Sequence, residues 1–169
     1  MRLALEKLDA EVDQPARLVI GGGAAMILAY GHTLATQDVD AFAAKGGATV
    51  AELDAAAKRV AAELSIAPDW LNAHFTTFTH VLPADYAERA RRVYDGNQIV
   101  VDALGPEDLL IMKCFAGRDK DIPHARVLLG HLTRPEVVDA QLSQLIERRI
   151  PHAQRAADFY DDLCDELDV

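Results

Sequence analysis

Two carboxylates one residue apart, Asp38 and Asp40, follow three successive glycines, Gly21, Gly22 and Gly23, inside the stretch LVIGGGAAMILAYGHTLATQDVD at 18–40. On a strand, residues i and i+2 project from the same face, so both carboxylates point one way. Two anions held side by side repel unless a cation stands between them, and hard oxygen donors of this kind suit Mg²⁺ or Mn²⁺. The glycines favour the opposite charge. Without a Cβ on three consecutive residues the chain turns tightly and phosphate oxygens can approach the main-chain N–H groups, while a helix starting near Ala24 adds its positive end. Glycine clusters close many ordinary turns, and Asp-x-Asp is common on solvated strands. Strand, glycine turn, helix and acidic strand in this order are the minimum apparatus for a nucleoside triphosphate and divalent metal.

The elements that must position these groups are legible around them. Leu18, Val19 and Ile20 form the apolar run of a buried strand at 17–20, a short helix spans 24–30, and a second strand covers 38–43. Further helices are predicted at 2–12, 48–65, 84–92, 106–116, 121–131, 134–147 and 151–166. Further strands are predicted at 74–82 and 98–103, with Asp95-Gly96-Asn97 as the turn before the last. The expected fold is α/β (α+β): a small mixed sheet flanked by helices over residues 1–105, then a helical C-terminal extension over 106–169, the two forming a single compact unit. His74 and His80 lack paired ligand spacing and read as structural or surface residues.

Composition sets the outer limits. The 169 residues are 50% hydrophobic and 26% charged, an ordinary globular balance. No apolar stretch is long enough for a bilayer, and the amphipathic start MRLALEKLDAEVDQ lacks a secretory h-region, so a soluble cytoplasmic protein is expected. Cys114 and Cys164 lack metal-ligand spacing and read as buried, inert thiols. A net charge of −10 argues against a general nucleic-acid surface. Positive charge is concentrated in Arg89, Arg91, Arg92, Lys113, Arg118 and Lys120, which could form a local basic rim. The acidic run DFYDDLCDELDV at 158–169 reads as a solvated helix end, with a basic partner as the other reading.

A second constellation is PEDLLIMKCFAGRDKD at 106–121. Pro106, Glu107 and Asp108 open a helix well, and Leu109, Leu110, Met112 and Phe115 give it an apolar face. Lys113 lies near that face. On its own it reads either as a lysine covering the core with its stem or as a compact cation for polyphosphate. Asp102, closing QIVVDAL, is a candidate third catalytic carboxylate, deprotonating or orienting an attacking hydroxyl, provided that its strand lies beside the Asp38–Asp40 strand; the other reading is an acid in the loop that caps the following helix. Asp121 is the competing candidate, and the sequence leaves the choice open.

The stretch from Gly22 to Asp40, with PEDLLIMKCFAGRDKD after it, resembles the nucleotidyltransferase superfamily related to DNA polymerase beta. The mark of that group is an apolar residue and Gly-Gly or Gly-Ser, then a helix, then Asp-x-Asp between apolar residues. More narrowly, the chain is similar to the minimal bacterial nucleotidyltransferases of AbiE-type and MenT-type toxin–antitoxin systems over about residues 17–131, with LPADYAERARRV at 82–93 looking like their linker. The resemblance implies Mg²⁺ or Mn²⁺ on Asp38 and Asp40. It also implies a triphosphate site lined by Gly22, Gly23 and Thr36, a phosphate-contacting Lys113 with Arg118 beside it, and an Asp121 that completes the pocket. The implied reaction is transfer of NMP from an NTP to an acceptor hydroxyl, with the 3′ end of tRNA as acceptor and an antitoxin protein as partner. Leu34 stands where relatives usually carry arginine, with His32 the only nearby ionisable group. A small-molecule (antibiotic) nucleotidyltransferase, and a binding or regulatory module that has lost activity, are the other readings.

Overall fold

A computed structural model describes residues 1–32, 36, 38–44 and 46–167. In chain order the elements are α1 (Arg2–Glu11), β1 (Ala16–Ile20), α2 (Gly22–Tyr30), β2 (Val39–Ala43), α3 (Val50–Leu64), β3 (Leu71–Asn72), a 3₁₀ segment (His74–Val81), α4 (Tyr86–Arg89), β4 (Arg91–Asp95), β5 (Ile99–Ala103), α5 (Pro106–Ala116), a 3₁₀ turn (Asp119–Asp121), α6 (Ile122–Leu129), α7 (Pro135–Glu147) and α8 (Ala153–Leu167). The mixed α/β class is as expected: a five-stranded mixed sheet with helices, and a helical C-terminal part. Among the described residues no helix is long and apolar enough to cross a membrane.

The sheet runs β3-β2-β1-β5-β4, with β1 antiparallel to β2 and parallel to β5. Val19 lies opposite both Phe42 and Asp102, and Ile20 opposite both Ala41 and Ala103. Because side chains alternate, this register sorts the strands into two faces. Leu18, Ile20, Val39, Ala41, Ile99, Val101 and Ala103 share one, and all are buried. Arg17, Val19, Asp40, Phe42, Arg92 and Asp102 share the other. α2 packs against β2, β4 and β5, and α1 packs on α3. A capping box starts α3: the Thr49 hydroxyl accepts the Glu52 N–H and the Glu52 carboxylate accepts the Thr49 N–H.

The chain divides into two compact units. The first is Met1–Thr76 with Ala90–Leu104, and the second is Thr77–Arg89 with the chain from Gly105 onward. In the second unit α5 is the central helix and packs against α6, α7 and α8. Pro106 through Phe115 are all buried, so its charged residues need partners, and each has one. Glu107 accepts the N–H groups of Thr133 and Arg134, Asp108 is forked by Arg89, and Lys113 donates to Asp121.

Two predicted elements are corrected. The β-branched and aromatic residues at 74–82 suggest a strand, yet the segment coils as a 3₁₀ helix, and only Leu71–Asn72 pair with β2. Local polar bonds win there. Asn72 Oδ1 accepts the His74 N–H, the Thr76 hydroxyl donates to Ala73 O, and His80 Nδ1 bonds Thr77 O. The helix expected at 84–92 stops at Arg89, because the next residues pair with β5 as β4, Arg91 opposite Ala103 and Arg92 opposite Asp102.

The β4–β5 turn is held by Asp9 of α1, whose carboxylate accepts the N–H groups of Asn97, Gln98 and Ile99 at 2.9, 2.7 and 2.7 Å. Burial pushes this carboxyl up, but the three donors outweigh it and hold its pKa below the usual carboxylate value. A depressed folded pKa gives stability that is fully present above the unfolded value of about 4 and lost as pH falls through the folded one. Asp9→Asn is therefore expected to lower the melting temperature near neutral pH. The gap to wild type should narrow as thermal scans are taken below about pH 4.

Candidate functional site

The end of β1 and the start of β2 are joined by a hydrogen bond from the Gly21 N–H to Asp40 O at 3.0 Å. α2 then begins at Gly22, two residues earlier than expected, with Gly21, which carries no side chain, at its N-cap. Its first-turn N–H groups thus carry the partial positive charge of a helix N-terminus. Gly22 has φ +58°, in the left-handed region, and a Cβ there would lie 2.4 Å from Asp40 Oδ2. At Gly23 a Cβ would meet the Thr36 side chain at 3.1 Å, and at Gly21 the Phe75 ring at 2.9 Å. Each glycine is therefore fixed by a different neighbour.

Asp40 sits against the backbone of the first helical residue, and Thr36 covers the second. The Thr36 hydroxyl donates to Asp38 Oδ1 at 2.6 Å, which orients an otherwise exposed carboxylate. Of the residues singled out from sequence, the structure brings Gly22, Gly23, Thr36, Asp38 and Asp40 together. Leu34 lies outside the described residues. The donors are hard oxygens, which suits Mg²⁺ or Mn²⁺. Among the described residues no group of three or more His, Cys, Asp or Glu is clustered for a metal. Two carboxylates supplemented by substrate phosphates and water are the usual protein share of a Mg²⁺ shell.

Asp102 is placed differently. β1 separates β5 from β2, so Asp102 is two strands away from Asp40 although on the same sheet face. Standard strand spacings put the two Cα atoms about 12 Å apart. Its buried carboxylate is bound by Arg17 Nε at 2.7 Å and Arg92 Nε at 2.6 Å. The condition attached to Asp102, a strand beside the Asp38–Asp40 strand, is not met. Local sequence does not point to Arg17, since its partner lies 85 residues downstream. The one available signal was an arginine alternating with apolar residues in ARLVI.

In the second unit Lys113, Arg118 and Asp121 form one cluster. The Asp121 carboxylate accepts from Lys113 Nζ and Arg118 Nε, with His124 Nδ1 at 3.7 Å. Burial pushes Asp121 up, but the bonds from Arg118 and Lys113 outweigh it and hold its pKa low. Lys113 is buried and paired with Asp121. Several members of the expected basic rim are also engaged. Arg89 is buried and forks Asp108 at 2.7 and 3.1 Å, Arg92 binds Asp102 and Asp95, and Arg91 lies over the Tyr30 ring at 4.9 Å. Arg89 thus leaves the rim, because a buried guanidinium needs its carboxylate. Burial pushes the Cys114 thiol up to about 12, as suits an inert cysteine, while Cys164 is only half-buried.

No curated protein and no solved structure matches this chain. A family model described as a nucleotidyltransferase of unknown function (DUF6036) matches residues 3–144, which include all five strands and the glycine turn with its acidic pair. The chain therefore belongs to that nucleotidyltransferase family.

Proposed function

We propose that this cytoplasmic enzyme transfers NMP from an NTP to an acceptor hydroxyl in a metal-dependent reaction, with the 3′ end of tRNA as acceptor, as the toxin of a toxin–antitoxin pair. The observation that carries the chemistry is the Asp40 carboxylate lying against Gly22, where only glycine leaves room for it. The start of α2 and the Asp40 carboxylate of β2 then lie side by side. The acceptor and the toxin role rest on the resemblance to AbiE-type and MenT-type enzymes.

In this reading the N–H groups of Gly22 and Gly23 hold phosphate oxygens at the start of α2. Asp38 and Asp40 would hold Mg²⁺ or Mn²⁺, and Thr36 keeps Asp38 in its rotamer. When bound, such a cation neutralises phosphate charge and acidifies an acceptor hydroxyl. The acceptor oxygen bonds to the α-phosphorus in line, the bond to the β-phosphate oxygen breaks, pyrophosphate leaves with the electron pair, and the hydroxyl proton passes to solvent. By resemblance Lys113 contacts the phosphates, Arg118 lies beside it, and Asp121 completes the pocket.

A second reading is supported by the ion pairs of Arg89 and Arg118, which reduce the positive charge open to a polyanion. A small cationic polyol or amine would then be the acceptor. Incubation with each α-labelled NTP, Mg²⁺ or Mn²⁺, and total tRNA is expected to label the tRNA. Label recovered instead on an added aminated sugar would select the second reading. Absence of NTP binding in calorimetry would overturn both.

A further inference from the structure

We propose that Arg17 and Arg92, set side by side by the buried Asp102, form a second phosphate site, for a backbone phosphate of a single-stranded RNA acceptor. The proposal rests on the RNA reading above and assigns Asp102 as a positioning residue rather than a metal ligand. Each oxygen of the Asp102 carboxylate takes one arginine Nε, Oδ2 from Arg17 and Oδ1 from Arg92. The carboxylate itself is 4% exposed, whereas the arginine side chains are 52% and 46% exposed. The acid is covered and the guanidinium groups face outward.

The stoichiometry leaves positive charge unspent. Two guanidinium groups share a single buried carboxylate, and binding through Nε leaves the Nη donors of Arg17 without another partner among the described residues. Arg92 also meets Asp95 at 3.2 Å, but that carboxylate is 69% exposed, and pairs of this kind are weak and exchangeable. Paired guanidinium forks match the oxygens of a phosphate.

The sheet fixes where such a phosphate lies. Arg17, Arg92 and Asp102 share the face of Asp40, with the Cα of Asp102 about 12 Å from that of Asp40 by strand spacing and the two arginines farther from it. That separation, with β1 between, sets this phosphate apart from those over Gly22. A strand with its terminal hydroxyl at Asp40 carries backbone phosphates along this face. A small acceptor has none to offer.

The test uses the full chain and a 12-nucleotide single-stranded RNA, read by fluorescence anisotropy over a salt series without NTP. Arg17→Ala and Arg92→Ala are each expected to weaken binding about fivefold and to reduce the slope of log affinity against log salt by roughly 0.7. Arg17→Lys should restore the slope, because it restores the charge. NTP affinity by calorimetry should stay within twofold in all three. Asp102→Asn gives the sharpest sign. Removing a negative charge from an RNA-binding face should tighten binding if Asp102 merely repels RNA, and should loosen it if Asp102 holds the two arginines. Tighter binding in Asp102→Asn, or unchanged affinity and slope in Arg17→Ala, overturns the proposal. Should Asp102→Asn fail to fold, the Arg17→Ala and Arg17→Lys pair decides alone. A wild type that binds this RNA but no NTP would refute the transferase reading while leaving the phosphate site standing.

Discussion

Gly22→Val is expected to lower nucleotidyl transfer by about 100-fold or more, the loss that an ångström-scale misplacement of a reacting group can cause. Two independent effects act at this one residue. Its φ of +58° costs an L-residue about 1–2 kcal/mol, and more for a β-branched side chain. In addition a Cβ would stand 2.4 Å from Asp40 Oδ2, so either the carboxylate or the turn must move. Gly22→Ala adds the same Cβ with the least bulk and should already lose most of the activity. At Gly23 φ is not in the left-handed region, and the added Cβ would meet Thr36 at 3.1 Å, which a few tenths of an ångström relieve. Gly23→Ala should therefore retain much more activity than Gly22→Ala. Steady-state turnover with labelled NTP, alongside melting temperatures, measures this order. Wild-type turnover in Gly22→Ala would remove the turn from the site.

What the sequence disclosed and what it hid divide along the range of the interactions. The glycine turn and Asp-x-Asp lie close in sequence, and their local spacing was enough to expect the adjacency of Gly22 and Asp40. α5 was likewise legible from Pro106 and the acids after it. The partners of its charges were not: Arg89 meets Asp108, and Glu107 caps a loop at Thr133 and Arg134. Such pairings depend on which elements become neighbours, and local composition carries no trace of them. The same limit explains the segment at 74–82, where β-propensity competes with Asn72 and Thr76 bonding to nearby backbone, and the strand β4, whose helical composition yields to pairing with β5. Asp102 shows the limit most clearly. Its place at the end of an apolar strand was readable, whereas the two arginines that define its role come from β1 and β4.

Asp38→Asn and Asp40→Asn are each expected to abolish measurable transfer while leaving the fold in place, since asparagine keeps the size of the side chain and the backbone bond from Gly21 to Asp40 O is untouched. Loss of one charged oxygen ligand from a polyphosphate site removes electrostatic stabilisation worth about 10²–10³ in rate. Because the two carboxylates act as one unit, the double mutant should be hardly worse than either single one. Thermal unfolding separates a metal role from a purely structural one. Without divalent cation the two like charges repel, so either substitution should leave the melting temperature unchanged or raise it. In excess Mn²⁺ the wild type should gain stability by mass action and the mutants should not. A carboxylate that only packed against Gly22 would give the reverse pattern: its asparagine variant would be less stable than the wild type in chelator and would respond to Mn²⁺ as the wild type does. Retained transfer together with that pattern would sink the assignment of Asp38 and Asp40 as metal ligands, and with it the metal-dependent reaction.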